Sequence, residues 1–104
     1  MSGPGRQLLL AHVTERAWRQ QVFSWAKARG WLVYFTWSSV HSVAGFPDLV
    51  LVRGDRCIFA ELKTERGKLT DAQAYWIERL RGCPQLEVYV WRPSDEEEVL
   101  ARLL

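Results

Sequence analysis

Two apolar runs, residues 47–53 (PDLVLVR) and 56–63 (RCIFAELK), meet at Gly54-Asp55. A two-residue link with Gly first suits a type II′ turn, so the runs are expected as the antiparallel strands of a hairpin. With Gly54 and Asp55 as the turn, Arg53 faces Arg56, every later pair is fixed, and Asp48 falls opposite Glu61. Side chains alternate between faces along a strand, so Glu61 and Lys63 share one side and Asp48 joins them from the neighbouring strand. Opposed β-carbons lie about 4.5–5.5 Å apart, and two carboxylates that close repel and destabilise the sheet unless something neutralises them. The rest of that face is Val50, Val52, Cys57 and Phe59, and the other face is Leu49, Leu51, Ile58, Ala60 and Leu62. Both are apolar, so the hairpin is expected to be buried on both sides. A divalent cation resolves the repulsion, and hard oxygen donors suit Mg²⁺ or Mn²⁺. Lys63 adds an ammonium that can orient a nucleophilic water or offset charge on a phosphate oxygen. The competing account is a salt-bridged cluster at a strand end. The register and the expected two-sided burial favour a site.

Around the hairpin the chain reads as one compact α/β domain over residues 1–104, with helices packed on a mixed sheet. Residues 1–7 are expected as a frayed tail. Thr14 is a plausible N-cap, and Trp18, Val22, Trp25 and Ala26 recur at helical spacing up to Gly30, which gives a helix over residues 14–29. Residues 31–37 (WLVYFTW) have strand composition. Thr70-Asp71-Ala72-Gln73 fits a capping box opening a second helix with Ala72, Trp76, Ile77 and Leu80 on its apolar stripe, ending at Gly82. Residues 86–91 form a fourth strand, and Ser94 to Glu97 is a second capping-box pattern, opening a short final helix.

Composition limits the function classes. Six Trp supply core area that a 104-residue chain needs. No apolar run reaches the roughly 18–20 residues that span a bilayer, and the first residues lack a secretory pattern, so no membrane role and a cytoplasmic location (bacterial or phage-infected host cell) are expected. Cys57 and Cys83 are too few for a disulfide scaffold or a zinc site. The net charge is only +2, but four acids crowd residues 95–98, and positions 1–94 hold thirteen Lys and Arg against eight Asp and Glu. That basic body permits a polyanionic partner.

Gly45-Phe46-Pro47-Asp48, twelve residues, then Glu61-Leu62-Lys63 resembles the PD-(D/E)xK nuclease signature. The wider pattern is similar to the VRR-NUC branch of that superfamily. It comprises Glu15 opening the first helix, Gly45 to Val50, Glu61 to Lys63, a charged loop with Gly67, and Leu69-Thr70-Asp71-Ala72-Gln73. The resemblance implies a restriction-endonuclease-like αβββαβ core with a central mixed four-stranded sheet flanked by helices. It also implies a Mg²⁺- or Mn²⁺-dependent deoxyribonuclease. Asp48 and Glu61 would bind the metal, the Leu62 backbone carbonyl would add a ligand, Glu15 would approach it, Lys63 would serve catalysis and Gln73 would support the site. Stand-alone relatives of this type imply a homodimer acting on branched DNA, including Holliday junctions, in repair or recombination. The loop before the motif, Trp37-Ser38-Ser39-Val40-His41-Ser42, lacks the Asn or Arg often found there.

Several residues carry two readings. Glu15 in a first turn also favours the helix dipole, and Gln73 is also explained by capping. Arg66 and Lys68 are candidate phosphate contacts or an ordinary solvated loop, and Ser39 and His41 are candidate nucleic-acid contacts or plain surface. Trp37 is a candidate for base stacking. Arg53 and Arg56, at the turn, are expected as solubility charges. Leu8 to Leu10 and Leu100, Leu103 and Leu104 are candidates for a dimer interface or for core. The rival functions are a non-catalytic nucleic-acid-binding or dimerisation module on the same fold, and an exonuclease or restriction-like nuclease.

Overall fold

The computed structural model describes residues 3–36 and 43–104. The elements run α1 (Pro4–Ala11), α2 (Glu15–Ala28), β1 (Leu32–Phe35), β2 (Leu49–Arg53), β3 (Arg56–Leu62), α3 (Asp71–Arg81), β4 (Glu87–Trp91), a 3₁₀ turn (Pro93–Asp95) and α4 (Glu96–Leu103). Residues 4–7, expected as part of a frayed tail, instead form the first half of α1, with Pro4 at its start where a missing N–H costs nothing. The final helix also starts differently from the expected Ser94 box. The Asp95 carboxylate accepts the Arg92 N–H at 2.8 Å, which closes the 3₁₀ turn, and α4 begins one residue later. Among the described residues no helix is long and apolar enough to cross a membrane.

The sheet order is β1-β2-β3-β4, antiparallel across the first two pairs and parallel between β3 and β4. The mixed four-stranded sheet with flanking helices is therefore the architecture expected from the sequence. Its hairpin register is also the expected one, from Arg53 opposite Arg56 to Leu49 opposite Ala60. Gly54 has φ 59°, whereas no non-glycine residue among those described has positive φ, which is the backbone signature of a type II′ turn.

One face of the sheet carries the core. Leu49, Leu51, Ile58, Ala60 and Leu62 are buried there against Trp18, Val22 and Ala26 of α2 and Val99 and Leu103 of α4. Thr14 caps α2 by accepting the Ala17 N–H at 3.1 Å, and the buried α2 residues recur every four positions, which keeps one stripe on the sheet. The opposite face is only half covered, which corrects the expectation of two-sided burial. Phe46 meets Phe59 and Trp76 edge-on, at ring-centroid separations of 5.8 and 5.1 Å, and so seats α3 over the β3 side of this face. Toward β1 no helix among the described residues follows, and Leu32, Tyr34 and Val52 are exposed.

Arg53 and Arg56 do more than keep the turn soluble. Arg53 donates to the carbonyls of Arg29 at 2.9 Å, Leu103 at 3.1 Å and Leu104 at 2.6 Å. Arg56 reaches the Arg102 carbonyl at 2.8 Å and forms a two-pronged pair with Glu87. Both guanidinium groups lie over the buried Trp31 ring, whose indole N–H donates to Leu103. The hairpin turn thus satisfies the open carbonyls at the end of α4. Of the leucines proposed for an interface, Leu103 is core, whereas Leu8, Leu9 and Leu104 are exposed.

Replacing Arg53 with Ala should remove the side-chain donor to the Arg29 and Leu104 carbonyls, with Leu103 still held by Trp31, and lower unfolding stability by about 1–3 kcal/mol. The urea midpoint measures it. A midpoint equal to that of the wild type would mean that the clasp contributes nothing.

Candidate functional site

The acidic side chains sit where the register sends them. Asp48 directly precedes β2, and Glu61 is the penultimate residue of β3. The Asp48 carboxylate accepts the Leu62 N–H at 2.8 Å, which ties the two strand ends together and orients the acid toward its neighbour. The backbone behind it is held by Thr36, whose N–H donates to the Asp48 carbonyl at 2.8 Å and whose hydroxyl donates to the Pro47 carbonyl at 2.7 Å.

Glu61 is 2% exposed and, among the described residues, the one charged residue in the core. Its Oε2 accepts from the Gln73 amide at 3.3 Å, and its buried Oε1 has no hydrogen-bond partner. Burial raises its pKa most. The hydrogen-bonding contact and repulsion from the Asp48 carboxylate add to this, Lys63 opposes it and Glu15 adds a little, and the result is pushed up to about 8. Glu61 thus favours its neutral form, with the Gln73 amide as its one hydrogen-bond donor.

Gln73 does both jobs that the sequence allowed it. Its backbone N–H donates to Thr70 Oγ1 at 3.1 Å, its amide oxygen accepts the Thr70 N–H at 2.9 Å, and its amide nitrogen reaches Glu61. The capping box therefore aims the side chain: with the oxygen held by the cap, the NH₂ end can only point onward to the acid. Gly45 makes the approach possible. Its φ is 95°, and a Cβ there would stand 2.5 Å from the Ala72 carbonyl group, so any other residue drives the start of α3 away from the motif.

Lys63 continues past β3, with its N–H on the Trp91 carbonyl at 3.0 Å, and its charge is felt at Glu61. Glu15, in the first turn of α2, adds to the negative field at Glu61 but is paired with Arg19 at 3.0 Å. Among the described residues no three acids, histidines or cysteines converge as a ready metal cluster. Glu15 thus stands outside a two-carboxylate centre. Arg66 and Lys68 are exposed on the loop after β3. Ser39, His41 and Trp37 lie outside the described residues.

Arg92 is a contributor with no local sequence signal. Its Nη1 donates to the carbonyls of Thr64 and Gly67, each at 2.6 Å, and Glu65 accepts the Ser94 N–H at 2.9 Å. The loop that carries Arg66 and Lys68 is thereby fixed to the end of β4. Only the parallel pairing of β3 with β4 makes Arg92 its neighbour, and a motif search along the chain passes over it.

The donor set suits a hard divalent cation. It offers two carboxylates, one of them with a buried oxygen that no protein donor reaches, at the end of β3 where the Leu62 carbonyl is also carried.

Comparison with known proteins identifies a family. The model of the VRR-NUC domain matches residues 9–95. A solved structure described as a VRR_NUC domain protein is similar to this chain with a TM-score of 0.66 and 22% identity, covering 86% of this chain and 84% of its own. No curated protein matches.

The raised Glu61 pKa has a signed consequence in chelator. The protonated acid is favoured in the fold, so its contribution to stability is complete below about pH 4.5 and lost as pH rises through about 8. The thermal midpoint should fall across that window, and Glu61→Gln should flatten the fall. An unchanged slope in Glu61→Gln would place the titrating group elsewhere.

Proposed function

The chain belongs to the VRR-NUC domain family, a family of nucleases, and from that premise we propose that it is a Mg²⁺- or Mn²⁺-dependent endonuclease hydrolysing the phosphodiester bonds of DNA. The observation that carries this reading is the buried Glu61 Oε1, which has no protein donor and lies beside a second carboxylate. A polar atom left so in a core costs free energy unless a ligand completes it.

In this reading Asp48, Glu61 and the Leu62 carbonyl hold the cation, and Glu15 contributes at a distance. When bound, the cation supplies Lewis acidity at the phosphate and a nucleophilic water at neutral pH. Gln73 keeps the Glu61 carboxylate in one orientation. Lys63 places its ammonium where negative charge grows on a phosphate oxygen. Arg66 and Lys68, on the loop that Arg92 fixes, neutralise neighbouring phosphates, with Ser39 and His41 as further contacts.

We further propose selectivity for branched DNA, with Holliday-junction resolution as the leading activity. Symmetric incision of two strands needs two centres, which a twofold homodimer provides. What supports this is the family to which the chain belongs.

The purified protein should cut a four-way junction with Mg²⁺ or Mn²⁺ and stop in chelator, and Lys63→Ala should slow cutting by about 10²-fold or more with DNA affinity retained. Persistent cleavage in chelator, or full activity in Lys63→Ala, would remove the mechanism. On a panel of linear, flap, fork and four-way-junction DNA the junction should be cut fastest. Equal rates on all four would remove the structure selectivity.

A further inference from the structure

Tyr34, Thr36, Val43, Phe46 and Trp76 line a cavity of about 400 Å³ that plays no part in the chemistry above. We infer that it receives an unstacked nucleobase of the strand whose phosphodiester lies at Asp48 and Glu61. The inference rests on the nuclease reading and names what that nuclease selects: a nucleotide free of its duplex partner beside the scissile bond.

The register places the cavity next to the acids. Tyr34 pairs with Val50 and Val50 with Phe59, and alternation puts all three on the face that Glu61 shares. Phe46 stands two residues before Asp48, so their Cα atoms are within roughly 7 Å of each other. Thr36 lines the cavity and bonds the Pro47 and Asp48 backbone at the same time. A base is separated from its phosphate by one sugar, and Phe46, which lines the cavity, is separated from Asp48 by the single residue Pro47.

The walls suit a planar π-faced ligand. The Trp76 ring is held in place by its N–H on the Ala44 carbonyl at 3.1 Å and by the edge of Phe46. Tyr34 is 61% exposed and offers its ring at the mouth. Fixed aromatics behind and a free one in front give stacking that accepts any base. The Thr36 hydroxyl is spent on Pro47, so the wall favours stacking over reading of base edges. The volume lies in the range for small ligands, whereas a second copy of the chain needs a surface of roughly 800 Å² per partner rather than a concavity. Extruding a base from intact duplex costs free energy, and unpaired nucleotides spare that cost. The cavity therefore also gives a local reason for a preference for branched DNA.

The test uses the full chain in chelator and single-stranded oligonucleotides carrying one 2-aminopurine, read by anisotropy of an end label and by 2-aminopurine emission. Binding should quench the emission several-fold. Tyr34→Ala should abolish most of the quench and weaken binding by about tenfold, and Tyr34→Phe should restore both, since the ring and not the hydroxyl does the stacking. Both variants change an exposed side chain, and an unchanged thermal midpoint confirms that they fold. Binding without quench, or a quench indifferent to Tyr34→Ala, would overturn the base pocket and leave the nuclease reading standing. Absence of binding to any oligonucleotide would overturn both. Dissociation of a dimer by Tyr34→Ala, with no effect on the quench, would give the face to a second copy and overturn the inference.

Discussion

A carboxylate at the end of a central strand, removed from water and given a single amide donor, sets the terms for everything near it. Glu61 cannot be solvated and cannot pair with a cationic side chain at hydrogen-bond distance, and its closest charged neighbour is another acid. Burial and repulsion both favour its neutral form. The surrounding structure keeps the acids from turning away. Asp48 is anchored by the Leu62 N–H, Gln73 is anchored by its own helix cap, and Gly45 removes the Cβ that would keep that cap at a distance. Each of these is a backbone device, and each costs little because it also completes ordinary secondary structure.

The position of this pair in the fold is as telling as its chemistry. One sheet face is closed by α2 and α4 and supplies the core. The other is closed only where α3 lies, and the acids stand at the N-terminal end of that helix, at the border between covered and open sheet. A centre there has a dry side, which raises the worth of its electrostatics, and an open side, which a polymer can reach.

Much of this was legible along the chain. Gly54-Asp55 set the hairpin, and the hairpin set the register, because a two-residue turn leaves the strands no freedom to slide. The Thr70 capping box could be read with the same certainty, although spacing could not tell whether Gln73 also served the acid. What escaped were interactions between residues distant in sequence. Arg53 and Arg56 look like turn charges until Trp31 and the end of α4 are brought against them. Cys57, Val52 and Phe59 look like core because they are apolar, yet only a partner element decides whether an apolar face is covered.

The sequence by itself determined which groups oppose each other, since register and alternation are local properties of a turn and a pleat. Tertiary structure alone decided that Glu61 loses its water, that Gln73 reaches it, that Glu15 stands apart with Arg19, and that half a sheet face stays open. Desolvation and coverage depend on how far a helix extends and where it lands. These are sums over long-range contacts that no short pattern of residues contains.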